Sequence, residues 1–154
     1  MFDTIVVATD GSDSVGRAVD IAIDVAARFD ATVHALYVLD TGEVESSPDE
    51  VREDLRAALD DHGEDALAAV VDRGAERDDE LAVVTDVREG RPAREIVSYA
   101  EEIDADLVVT GTRGRHGENR FLIGSVAENV VRTCDPPVLT VRRLTDEDPR
   151  RVTF

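Results

Sequence analysis

The stretch Leu107-Val108-Val109-Thr110-Gly111-Thr112-Arg113-Gly114, followed after nine residues by Gly124-Ser125-Val126-Ala127-Glu128, decides the fold. Leu107–Thr110 is nearly continuous apolar and β-branched, the composition of a strand covered on both faces. Glycines follow at once. From Ser125 to about Thr133 the pattern is helical, and Asp135-Pro136-Pro137 cannot continue it. Val138–Val141 is then strand-like again. Strand, glycine loop, helix and strand in that order is the grammar of a parallel sheet.

The same grammar runs upstream. Ile5–Ala8, Val33–Val38 and Ala82–Val87 read as strands, the third carrying Thr85 and Asp86 as an edge strand tolerates. Between the first two, Val15, Ala18, Val19, Ala22, Val25, Ala26 and Phe29 recur every three to four residues and form one apolar stripe. Ser12 or Ser14 is placed to cap that helix. A second helix is expected from about Pro48 to Arg77, with Val51, Leu55, Ala58, Leu59, Ala66, Ala69 and Val70 inward and Gly63 as a weak point. A third starts at Pro92 and buries Ile96, Val97, Ala100 and Ile103. Leu39–Ser47 reads as the longest loop. The order is β-α-β-α-β-α-β-α-β: an α/β domain with a mainly parallel sheet, helices on both faces and right-handed crossovers. The expected division is one domain over 1–142 and a charged tail over 143–154.

Composition bounds the function. The 154 residues suit one domain with a core that needs neither disulfide nor metal. The formal charge is −18, from 35 acidic and 17 basic residues, which argues against nucleic acid as a partner. All 17 basic residues are arginine. Self-repulsion of so acidic a surface is screened within about 3 Å at 1 M salt, so the composition points to a salt-rich, halophilic cytoplasm. One cysteine, Cys134, excludes an internal disulfide. No apolar run reaches the roughly 18 residues of a membrane span. Met1 leads within three residues into a strand, leaving no room for a signal peptide, so the expected location is the cytoplasm.

Several chemistries are excluded by motif. Without lysine there is no P-loop, no G-x-G-x-x-G follows the first strand, and no G-x-S-x-G elbow exists. His34, His62 and His116 are isolated, with no metal-ligand spacing. Ala8 stands where a D-x-D phosphatase loop needs its first carboxylate before Asp10. The glycine loop remains. Gly111 and Gly114 permit a sharp turn with positive φ and close approach of an anion to bare amides. Gly124-Ser125 opens a helix, whose free N–H groups and dipole favour negative charge. Between Gly111 and Ser125, Arg113, Arg115 and Arg120 against Glu118 alone give a positive island of +2 on a chain of −18.

These residues carry a resemblance. Ile5-Val6-Val7-Ala8-Thr9-Asp10-Gly11-Ser12, the G-x2-G-x9-G-[ST] loop, Gly124–Glu128 and Pro137–Val141 resemble the universal stress protein family, in its nucleotide-binding branch, over about residues 1–142. The resemblance implies a Rossmann-like open sheet of five strands in the order 3-2-1-4-5, with a crevice at the carboxyl ends of strands one and four. It implies an ATP site in which Ala8, Thr9 and Asp10 line the adenosine side, Asp10 reaching the adenine or ribose edge, and Val38 packs on the base. Gly111, Arg113 and Gly114 would wrap the phosphates, and Gly124, Ser125 and Val126 would donate from the helix start. Mg²⁺ would neutralise the triphosphate, although no dedicated carboxylate stands out for it. The resemblance also implies a homodimer through the edge strand Val138–Val141.

The first expectation for function is therefore an ATP-binding protein with a regulatory or stress-response role and at most slow hydrolysis. An ATPase or phosphotransferase using Asp10 or His116 is the enzymatic alternative. A dimeric scaffold that binds a protein partner without nucleotide is the third.

Overall fold

The structure, a computed structural model, describes residues 1–113 and 123–144. Five strands, β1 (Thr4–Ala8), β2 (Thr32–Asp40), β3 (Val83–Gly90), β4 (Leu107–Gly111) and β5 (Val138–Val141), form one sheet in the order β3-β2-β1-β4-β5. Every pairing is parallel, with Ile5 opposite both Val33 and Leu107. The expected architecture and strand order are therefore present. β1, β2 and β4 extend the expected runs by one to two residues at their ends, β3 begins one residue later and ends three later, and β5 coincides with its run; pairing continues where hydrophobicity stops, as Asp40 pairs with Gly90.

The helices are α1 (Gly16–Phe29), α2 (Thr41–Glu45), α3 (Asp49–Arg77), α4 (Pro92–Glu102) and α5 (Ser125–Thr133). Strand alternation sorts them into two layers. Ile5 and Val7 of β1 face a core built with Ala18, Ala22 and Ala26 of α1 and Leu59, Leu67 and Val70 of α3. Val6 and Ala8 face the other core, with Ile96, Tyr99 and Ala100 of α4 and Val130 of α5. β1 and β4 are buried on both faces, which is why their sequences read as continuous apolar runs.

Four expectations need correction. Residues 39–47 are not all loop, because Asp40 caps the short helix α2 by accepting from Gly42 N at 3.0 Å and Glu43 N at 3.3 Å. Neither Ser12 nor Ser14 caps α1: a 3-10 turn over Asp13–Val15 precedes it, and Val15 is its N-cap residue. In α3, Val51, Ala58 and Ala69 face outward, while Gly63 and Leu67 join the core. A helix of 29 residues is ~43 Å long against ~30 Å for the nine residues of β2, so its first turns outrun the sheet. Phe29, at the end of α1, is half exposed and meets Phe2 edge to face at 5.1 Å.

Candidate functional site

The chain turns one way from β1 to β2 and the other way from β4 to β5, so the carboxyl ends of β1 and β4 open a crevice between their loops. A cavity of about 310 Å³ fills it. Ala8, Thr9, Asp10, Val38, Gly111, Arg113, Gly124, Ser125 and Val126 line this cavity, nine of the ten site residues expected from the sequence. Gly114, the tenth, lies outside the described residues, as do His116, Arg115, Arg120 and Glu118.

Each wall has a local cause. Thr9 N donates to Leu36 O at 2.9 Å, carrying the β1–β2 ladder one residue past the strand. The chain then turns on itself: Thr9 Oγ1 accepts from Gly11 N at 3.1 Å, and Asp10 Oδ1 accepts from Ser12 N at 2.9 Å. Gly11 has φ +76°, a conformation side chains resist. On the opposite wall Gly124 N donates to Thr112 O at 2.6 Å, so the two ends of the glycine loop are pinned together. A Cβ on Gly124 would stand 3.2 Å from Thr112 O. Gly111 departs from expectation, since its φ is not positive. Its need for glycine is steric: a Cβ would meet Val15 Cγ2 at 3.1 Å and Arg113 O at 3.2 Å.

The cavity is polarised. Leu36, Val38 and Asp40 alternate along one face of β2 and line it together, giving an apolar floor with an acidic rim. Asp10 and Glu43 add carboxylates on that side. Across from them stand Arg113 and the amino end of α5, whose first-turn amides have no acceptor within the helix. Arg113 Nε is buried and has no hydrogen-bond partner among the described residues. A buried guanidinium N–H without an acceptor is costly, and an anion in the cavity would relieve that cost. Orphaned donor, glycine cradle and helix terminus are all of the kind a phosphate requires. Among the described residues no group of three or more His, Cys, Asp or Glu side chains is arranged to hold a metal.

Asp40, Glu43, Pro92 and Ile96 also line the cavity and were not expected there. The sequence did hold a signal for the first two: Asp40-x-x-Glu43 is a capping-box spacing, and Asp40 lies two residues beyond Val38 on the same strand face.

The family model of the universal stress proteins matches residues 1–142. The chain belongs to the universal stress protein family. Universal stress protein MJ0531 of Methanocaldococcus jannaschii is 40% identical over 144 residues, covering 93% of this chain and 84% of that one. Among solved structures, a universal stress protein in complex with cAMP superposes with a TM-score of 0.71 at 31% identity, over 92% of this chain and 97% of the other. The universal stress protein of Archaeoglobus fulgidus in complex with dAMP gives 0.67 at 25% identity, over 92% and 98%. No helix among the described residues of this universal stress protein is long and apolar enough to cross a membrane.

Proposed function

We propose that this universal stress protein is a regulatory, stress-response protein of the nucleotide-binding branch. ATP, with Mg²⁺ carried on its phosphates, occupies the cavity at the ends of β1 and β4. The observation that carries this reading is the buried Nε of Arg113, which has no hydrogen-bond partner among the described residues, in a wall shared with the amino end of α5. The complexes of two relatives with cAMP and dAMP support it.

Polarity sets the orientation. The base packs on Val38 above the apolar floor, Ala8, Thr9 and Asp10 border the nucleoside, and the phosphates lie toward Gly111, Arg113, Gly114 and the amides of Gly124, Ser125 and Val126. A bound triphosphate supplies an acceptor for Arg113 and for the amides of the helix start. The protein's part is to bind and orient it, with at most slow turnover.

Calorimetry with Mg-ATP in concentrated KCl tests the proposal. Arg113→Ala should weaken binding by about 10- to 100-fold, the usual effect of deleting a charged hydrogen-bond donor. The absence of both measurable heat and co-purified nucleotide in the wild-type protein would overturn it. The same reading makes residues 1–142 the working domain, places it in a salt-rich cytoplasm, and pairs two copies through the open edge of β5.

A further inference from the structure

We infer that His62 of α3 is a positioning residue for the nucleotide, acting through the backbone of Asp10; this rests on the function proposed above. His62 Nε2 lies 2.7 Å from the carbonyl oxygen of Asp10, 52 residues earlier in the chain. A carbonyl only accepts, so Nε2 carries the proton and donates it. The bonds from Gly11 N to Thr9 and from Ser12 N to Asp10 are local and fold the loop on itself. The bond from His62 ties that loop to another layer of the protein.

Two glycines make the contact possible. A Cβ on Gly11 would stand 2.5 Å from His62 Nε2, and a Cβ on Gly63 would stand 2.5 Å from the Tyr37 ring. With neither present, Tyr37 of β2 meets the imidazole edge to face at 6.3 Å and fixes its direction. A continuous contact thus runs from the buried ring of Tyr37 through His62 to Asp10.

The loop separates two cavities. A second cavity of about 240 Å³ lies behind it, bordered by Ser12, His62, Asp65 and Arg73. Thr9 and Val15 line both cavities. Behind the loop, the His62 bond and the close approach of Gly11 to His62 and Ala66 hold it against α3. Removing the donor leaves the Asp10 carboxylate in the site but takes away one hold on the peptide that carries it.

The test is titration calorimetry of the full chain with Mg-ATP, comparing wild type, His62→Ala, His62→Gln, Asp10→Ala and the double variant His62→Ala/Asp10→Ala. His62→Ala should bind about five- to tenfold more weakly, the usual effect of one lost neutral hydrogen bond. His62→Gln, which keeps an N–H donor, should restore affinity to within about twofold of wild type. The double variant should be no weaker than Asp10→Ala, because the histidine works only through that residue. Should His62→Ala fail to fold, His62→Phe keeps a ring against Tyr37 without the donor and makes the same comparison. Equal affinity of the donor-less variant and wild type, or losses that add in the double variant, would overturn the inference and leave the nucleotide site standing. A wild-type protein that binds no nucleotide would overturn both.

Discussion

His34 on β2 shows how a single residue can report on the fold. Its Nδ1 lies 3.2 Å from the Tyr99 hydroxyl, and burial pushes its pKa below the usual value, with Asp86 partly opposing. The unfolded chain therefore binds a proton at a pH where the folded chain does not. Stability from this residue is complete above pH 6.5 and is lost as pH falls from there through the folded pKa. Unfolding midpoints in urea should fall over that interval, and His34→Asn should flatten the profile. The carboxyls of Asp24, Glu102 and Asp106 are held below their ordinary range by Arg77, by Arg88 and by the amides of Asp3 and Thr4. Their contribution is lost only in more acid solution, below about pH 4. A wild-type profile without slope as pH falls below 6.5 would contradict the burial of His34.

For the elements, α3 sets propensity against packing. Gly63 sits inside a 29-residue helix, where alanine is favoured by about 1 kcal/mol in isolation. Here a Cβ would be 2.5 Å from the Tyr37 ring, which is itself fully buried in the sheet. Neither ring nor helix can give way cheaply in a packed core, and overpacking of this kind costs about 1–3 kcal/mol. Gly63→Ala should therefore lower the melting temperature, and a rise would show that α3 stands farther from the sheet. The helix itself was legible from Pro48 to Arg77. The reason for its glycine was not, because Tyr37 lies 26 positions away in sequence and nothing in α3 announces it.

Across the whole molecule, two salt effects oppose each other. Exposed pairs such as Arg73–Asp20 and Arg77–Asp24 join α1 to α3 and weaken in salt. Such solvent-screened pairs contribute little, whereas a net charge of −18 repels over the entire surface. Repulsion should win, so the melting temperature should rise from about 0.1 M to multimolar KCl as the screening length shrinks from about 10 Å to under 3 Å. A flat or falling curve would mean that the ion pairs dominate. The open edge of β5, with Leu139 partly exposed, should pair two subunits, and light scattering at micromolar concentration should return a dimer mass.

By itself the sequence determined the alternation of strands and helices, the glycine loop after Leu107–Thr110, and a surface of arginine and carboxylate without lysine. Those features rest on neighbours in the chain: side-chain period, turn chemistry and charge. Through resemblance it also named ten site residues, nine of which line one cavity. Tertiary structure alone decided that Pro92 and Ile96 close the cavity, that Gly111 is glycine for want of space, and that His62 reaches Asp10. Such contacts join segments tens of residues apart. They exist only after crossovers and strand pairing have set which ends of the sheet meet, and no local pattern carries that information.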